Sequence, residues 1–248
     1  MSRKRDFVLL LSEDESYLVE LDGKDSNTKN GMIKYSELRR GIGSKVKTHL
    51  GKEFTVVKPT IMDILRKGIK RTAQIMSPKD ISLILAYTGI SNDSLVVDAG
   101  TGTGYTAIFL ANYLKGGKIV SYEKDSMFIK NAKRNIEVSG LGNIQLKAGD
   151  VTKRIDEKNV DLVVLDLQDA NKTVENAYAS LAFGGYLVVY SPTVDHLMRS
   201  VNAVKKAGFV KIVVVENIVR EWQSELTLRP KTIGLMHTGF LTFARKVI

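Results

Sequence analysis

The sequence predicts an α/β protein, a seven-stranded doubly wound domain preceded by a small N-terminal β domain. Three observations predict it. The β-branched run Val96-Val97-Asp98 passes into Ala99-Gly100-Thr101-Gly102-Thr103-Gly104 and then into a helical stretch from Tyr105. From Ser77 onwards strand-like and helix-like segments alternate, which implies a mainly parallel sheet with helices on both faces. Ahead of Pro59, short β-rich runs are broken by turn signals.

In residues 1–58 the apolar runs Phe7–Leu11 and Tyr17–Leu21 flank the acidic turn Ser12–Ser16. Asp22-Gly23 and Asn30-Gly31 are turn or hairpin signals, since both residue types tolerate the φ values a tight hairpin needs. Lys45–Leu50 and Phe54–Val57 lie on either side of Gly51-Lys52, and strands so spaced suggest a small barrel or sandwich. Residues 59–76 read as a connector, punctuated by Pro59 and helical from Thr60. Ser77-Pro78-Lys79-Asp80 reads as a helix start, with Ser77 as N-cap, Pro78 at the first helical position and Asp80 placed to reach back. That helix runs to about Thr88 and ends at Gly89.

Residues 77–248 form the larger domain. Its predicted strands are Leu95–Asp98, Lys118–Glu123, Asn143–Lys147, Val160–Leu167 and Tyr186–Ser191. Predicted helices cover Tyr105–Leu114, Ser126–Val138, Thr173–Leu181 and Asp195–Lys206. Two closing strands, Val210–Glu216 and Leu235–Arg245, have no clear helix between them and predict an antiparallel pair at the sheet edge.

Composition narrows the function classes. The 248 residues are 44% hydrophobic, ample for a core, yet no stretch reaches the ~20 unbroken apolar residues of a membrane span. The charged stretch Ser2–Asp6 does not resemble a signal peptide, so a cytoplasmic protein is expected. Absence of cysteine excludes disulfides, zinc ribbons and thiol nucleophiles. His49, His196 and His237 are scattered without metal-ligand spacing, so no metal is expected. The net charge is +10, and the segment from Lys34 to Arg71 holds eleven lysines and arginines against three acids. Clustered basic charge of this kind is the electrostatic footprint of a polyanion-binding face. Arg39, Arg40, Lys45, Lys47 and Arg71 are candidate phosphate contacts.

The glycine loop suits a nucleotide-like cofactor, because glycine lets backbone approach a ligand closely. A dinucleotide fingerprint would place its third glycine where this chain has Tyr105. The pattern here is Asp-x-Gly-x-Gly-x-Gly, which resembles motif I of the S-adenosylmethionine-dependent methyltransferases. In doubly wound sheets the ligand lies outside the carboxyl ends of the strands, so acids at successive strand ends are candidates. Glu123 ends the second strand, where a carboxylate accepts both hydroxyls of a ribose diol. Asp150 follows the third, where it accepts an exocyclic amine while the Val151 backbone meets the ring edge. Asp166 closes the fourth and must face the cleft.

Beyond these motifs the chain resembles the tRNA (adenine-58-N1)-methyltransferase family, particularly its archaeal members. The resemblance rests on Lys47–Phe54, Arg71–Asp80, Ala99–Gly104, Leu165-Asp166-Leu167, Arg220-Glu221-Trp222 and His237–Leu241. It implies a class I, Rossmann-like methyltransferase domain, S-adenosyl-L-methionine as cofactor, tRNA as partner and a homotetramer. It further implies that Gly100, Gly102, Thr103, Gly104, Tyr105 and Thr106 form the cofactor loop. In the same way Glu123 is the ribose acid, Asp150 the adenine-side acid, Met76 a cofactor-pocket residue and Asp166 the catalytic acid. Two departures fall on the target-base half. Ser77 stands where relatives usually have tyrosine, and Gln168-Asp169-Ala170 stands where they commonly carry proline or a similar signature. Other readings are a non-catalytic tRNA-binding subunit and a methyltransferase acting on protein or a small molecule.

Overall fold

The computed structural model describes residues 5–223, 227–232, 234 and 236–247. They divide into two compact units, those up to residue 70 with 133–142, and those of 71–132 with those from 143 onwards.

The first unit begins with strands β1 (Phe7–Leu11), β2 (Ser16–Glu20), β3 (Ser26–Thr28) and β4 (Gly31–Ile33). A short helix α1 (Tyr35–Leu38) and strands β5 (Lys45–Lys47) and β6 (Glu53–Val57) follow. Four strands form an antiparallel sheet in the order β2-β1-β6-β5, while β3 and β4 pair as a separate hairpin. The arrangement is an open sheet with β2 and β5 as its edges rather than a barrel. Three-residue strands such as β5 are too short to close one. The alternation of β6 sends Phe54 and Val56 inward, onto a core shared with Val8, Leu10, Ile33 and Val46. Each such buried side chain stabilises the fold by roughly 1.5–3 kcal/mol.

Past Pro59, helix α2 (Ile61–Asp63) starts on a capping box. The Asp63 amide donates to Thr60 Oγ1 at 3.3 Å and the Thr60 amide to Asp63 Oδ2 at 2.8 Å. The chain then widens into a π-helical turn over Ile64–Gly68. Asn135 exchanges hydrogen bonds of 2.9 and 3.0 Å with the Lys70 backbone, tying residues 133–142 into this unit.

The second unit opens with helix α3 (Pro78–Thr88), which Gly89 ends in the left-handed conformation. There follow β7 (Leu95–Ala99), α4 (Tyr105–Tyr113), β8 (Lys118–Glu123) and α5 (Ser126–Ser139), whose last residues belong to the first unit. Next come β9 (Ile144–Ala148), β10 (Val160–Leu165), α6 (Ala170–Ser180), β11 (Leu181–Ser191) and α7 (Val194–Lys206). The chain closes with β12 (Val210–Glu216), a small hairpin of β13 (Trp222–Gln223) and β14 (Arg229–Pro230), and β15 (Phe240–Arg245).

The sheet order is β12-β15-β11-β10-β7-β8-β9. The strands from β9 to β11 are parallel, and β15 is antiparallel to both of its neighbours. The two closing strands pair as expected, but the later one inserts between β11 and the edge strand β12. Leu235, the expected start of the last strand, lies outside the described residues. Strand order reverses between β7 and β10, which opens a crevice at their carboxyl ends. Valines and leucines buried on both faces of β7 and β10 read as continuous apolar runs, as a doubly covered parallel sheet requires. No helix among the described residues is long and apolar enough to cross a membrane.

Candidate active site at the carboxyl edge of the sheet

Parallel register brings the predicted residues into one row. Ala99 pairs with Tyr122 on one side and with Leu165 on the other. One residue further on, Gly100, Glu123 and Asp166 therefore lie side by side. Glu123 pairs with Ala148, so Gly149 and Asp150 follow on the next strand.

The loop between β7 and α4 needs its glycines. Gly100, Gly102 and Gly104 have φ of 21°, 53° and 81°. A Cβ on Gly100 would stand 2.7 Å from the Asp166 carbonyl oxygen, so only glycine lets the loop pass over β10. The Thr101 amide donates to the Tyr122 carbonyl at 3.0 Å and the Gly102 amide to Glu123 Oε2 at 2.9 Å. Glu123 Oε1 accepts from the amides of Lys124 and Asp125 at 2.9 and 3.0 Å. The carboxylate is thus oriented by three backbone donors and keeps about one of its four lone-pair sites for a ligand.

Beneath the loop, the Ser121 hydroxyl donates to Asp98 Oδ2 at 2.6 Å and lies 2.6 Å from Thr101 Oγ1. Asp98 is buried and its Oδ1 has no hydrogen-bond partner among the described residues. Burial, opposed by the Ser121 hydrogen bond and reinforced by Asp166 and Glu123, pushes its carboxyl up to about 7. Ser121 carries no obvious functional signal in the sequence, though its place two residues before Glu123 puts both on one face of β8.

Asp150 is held below the usual carboxylate range, first by the Thr152 hydroxyl and then by the Thr152 amide, both on Oδ1. Among the described residues no hydrogen bond involves its Oδ2 or the Val151 N–H. An acceptor and a donor side by side complement the amine and ring nitrogen of an adenine edge. Asp166 is half-buried in the cleft, and its side chain makes no hydrogen bond among the described residues. The protein packed around it pushes the carboxyl up to about 7.

Two concavities meet on this row. One, of about 170 Å³, is lined by Tyr122, Asp150, Val151 and Gln168. The other, of about 200 Å³, is lined by Ala73–Met76, Thr103, Tyr105, Thr106, Phe128 and Asp166. Gly100, Glu123 and Leu167 border both. All the predicted cofactor residues except Gly104, which caps α4 from the left-handed region, line one lobe or the other. Met76 and Tyr105 are buried, and the Arg71 guanidinium sits 5.8 Å over the Tyr105 ring. The residues Ala73, Gln74, Ile75 and Phe128 carry no signal in the sequence that marks them as lining. The last lies on the face of an amphipathic helix, where core packing is the ordinary reading.

The helix start at Ser77 is corrected by the structure. Ser77 holds the extended N-cap backbone and Pro78 opens the first turn, but the Ser77 hydroxyl makes no capping hydrogen bond. Asp80 does not reach back. Its carboxylate is taken by Lys79 Nζ at 2.7 Å and Thr238 Oγ1 at 2.6 Å, a partner from the other end of the chain.

In the first unit the candidate phosphate contacts differ from one another. Arg40 pairs with Glu37 at 2.8 Å, while Lys45 and Lys47 share Glu53 at 2.8 and 3.6 Å. Arg39 is exposed and forms no ion pair among the described residues. Exposed pairs of this kind contribute little to stability.

Residues 56–228 match the family described as tRNA methyltransferase complex GCD14 subunit. A Methanocaldococcus jannaschii protein named tRNA (adenine(57)-N(1)/adenine(58)-N(1))-methyltransferase TrmI is 35% identical, over 96% of this chain and 94% of its own. The Thermus thermophilus tRNA (adenine(58)-N(1))-methyltransferase TrmI is 32% identical, over 84% of this chain and 83% of its own. A crystal structure from Thermotoga maritima, titled a SAM-dependent O-methyltransferase, superposes with a TM-score of 0.90 at 30% identity. It covers 99% of this chain and 94% of its own. With a match over most of its length and a glycine loop, acids and sheet order to fit, the chain belongs to the tRNA methyltransferase complex GCD14 subunit family.

Proposed function

We propose that the protein transfers a methyl group from S-adenosylmethionine to N1 of adenine 58 in the T-loop of tRNA, and to adenine 57 as well. The observation that carries this reading is Asp166, a carboxyl with no hydrogen-bond partner among the described residues that stands in the same row as the cofactor-loop glycine and Glu123. The name of the Methanocaldococcus jannaschii relative supports the inclusion of both adenines.

Met76, Gly100, Gly102, Thr103, Tyr105 and Thr106 hold the methionine side of the cofactor, and Gly104 shapes the loop from the start of α4. Glu123 accepts from the ribose hydroxyls, and Asp150 with Val151 reads the adenine edge. The bound cofactor supplies a methyl group on a sulfonium, already electrophilic. N1 of adenine has a lone pair, so no strong base is needed to make the nucleophile, and positioning supplies much of the rate. Methylation leaves positive charge on the purine. As an anion, Asp166 accepts from the N6 amine and stabilises that charge where it develops. The base must leave its stacked position in the folded tRNA, at a cost of a few kcal/mol. The basic surface of the first unit holds the RNA while this happens.

The active form is a homotetramer in this reading. Edge strand β12 leaves Val213 and Val214 exposed, and Ile218, Val219, Trp222 and Leu228 extend that apolar surface, which a second copy covers. A cytoplasmic location follows from the tRNA substrate, and the reading places the protein with the archaeal type.

The likeness to the Thermotoga maritima SAM-dependent O-methyltransferase favours a second reading, in which oxygen accepts the methyl group. One experiment separates them. Labelled methyl is supplied as S-adenosylmethionine to unmodified tRNA and the nucleosides are resolved, with Asp166→Ala alongside. 1-Methyladenosine that disappears in the variant is the expected result. Label in a ribose-methylated nucleoside establishes oxygen transfer, and tRNA binding without label establishes a non-catalytic subunit.

A further inference from the structure

The start of α3 and the far end of the chain meet in a buried cluster of charge that the proposed reaction does not use. Asp80 is 1% exposed. Lys79 Nζ donates to Asp80 Oδ1 at 2.7 Å, to Thr238 Oγ1 at 2.7 Å and to the Asn217 carbonyl, so all three ammonium protons are engaged. The Thr238 hydroxyl donates in turn to Asp80 Oδ2 at 2.6 Å. Asn217 Nδ2 donates back to the Lys79 carbonyl at 2.6 Å. Both ends of the excursion between β12 and β15 are therefore pinned to the first turn of α3.

The cluster continues towards the cleft. The Tyr190 hydroxyl donates to the Thr238 carbonyl. A Cβ on Gly239 would stand 2.6 Å from Tyr190 Cζ, so glycine is needed for the backbone to lie against the ring. Leu165 pairs with Val189, which sets Tyr190 beside Asp166, one residue past the pair on each strand. Burial first, then the charges of Asp166 and Asp80, push the Tyr190 phenol up to about 12, so both acids act on it.

A buried Lys–Asp pair is a poor source of stability, since desolvation cancels much of its Coulomb gain. What a fully satisfied polar cluster supplies is a unique geometry. We propose that Lys79, Asp80 and Thr238 are positioning residues that set Tyr190 as the wall of the acceptor side of the Asp166 cleft. The inference rests on reading that cleft as the site of methyl transfer. Lys79, Asp80 and Thr238 are not among the residues that line the two cofactor lobes.

The test compares wild type, Asp80→Asn, Thr238→Val and Thr238→Ser. Three quantities are measured: the single-turnover rate on saturating unmodified tRNA, the affinity for S-adenosylmethionine by calorimetry, and amide hydrogen exchange over 186–191, 236–243 and 99–104. Asp80→Asn and Thr238→Val are expected to slow transfer by about tenfold or more with cofactor affinity changed by less than about twofold. Thr238→Ser keeps the hydroxyl and the wild-type rate. Exchange should quicken in the first two segments of Asp80→Asn and stay the same in the third. An unchanged rate in both disruptive variants overturns the proposal. So does a parallel loss of rate and cofactor affinity that Thr238→Ser shares, because that is general loss of structure. A wild type inactive on tRNA overturns the reading of the site and this inference with it, whereas an active wild type with unslowed variants overturns the inference alone.

Discussion

The Gly102 amide donates to Glu123 Oε2 at 2.9 Å, so the acid that ends β8 also clamps the glycine loop. One carboxylate thereby sets the position of the backbone that borders both lobes of the cleft.

Glu123→Gln should weaken this clamp, because an amide offers one acceptor oxygen where three backbone donors now converge. A charge-assisted hydrogen bond contributes about 1.5–3 kcal/mol, so S-adenosylmethionine affinity should fall by about 10–100-fold. Calorimetric titration checks it. Unaltered affinity removes Glu123 from the cofactor site.

Asp166→Ala should lower the rate of methyl transfer by about 10²–10³ while tRNA affinity stays the same, the pattern of a group that stabilises developing charge. Rapid-quench transfer and filter binding read the two quantities separately. A variant that turns over normally takes Asp166 out of the mechanism.

Burial pushes the Asp166 carboxyl up to about 7, and the proposed role needs the anion. Below that pH the group is neutral, so the single-turnover rate should climb as pH rises and level off above about 7. Asp166→Asn has no such group, and its residual rate should be flat over the same range. A wild-type profile that is also flat counts against the assignment.

Asp98 titrates near 3.8 when unperturbed and at about 7 in the fold. Between those values the native state keeps a proton that the unfolded chain has released, so stability falls as pH rises through this window and is constant above it. Asp98→Asn is neutral throughout. Its stability relative to wild type should increase from pH 4 to pH 8, by something on the order of 1–4 kcal/mol. Urea unfolding at several pH values measures it, and a constant difference refutes the linkage.

Arg39 is exposed without an ion pair among the described residues, while Lys45 already faces Glu53. Arg39→Gln should therefore weaken tRNA binding and lower the slope of log Kd against log salt by about 1. Lys45→Gln should change it less. Equal effects would mean that the Glu53 pairing dissolves on the RNA.

The row of candidate site residues was legible from residue types and spacing. Strand, glycine loop and helix follow from Val96 to Tyr113, Glu123 and Asp150 stand at or just past a strand end, and Asp166 follows an apolar strand run, so that all three fall on the crevice side of the sheet. These are short-range facts, carried by periodicity, β-branching and the backbone freedom of glycine. The capping role assigned to Asp80 shows where such reasoning stops. Locally the residue fits a helix start, yet packing buries it beside Lys79 and gives it Thr238 as a partner. The burial of Asp98, the Ser121 hydroxyl beneath the loop, the insertion of β15 between β11 and β12, and the placing of Tyr190 beside Asp166 belong to the same class. Each arises where strands distant in the chain are brought into register, and the free energy of a buried polar group depends on which neighbours that register supplies. No run of adjacent residues encodes those neighbours, so they emerge only when the sheet is assembled.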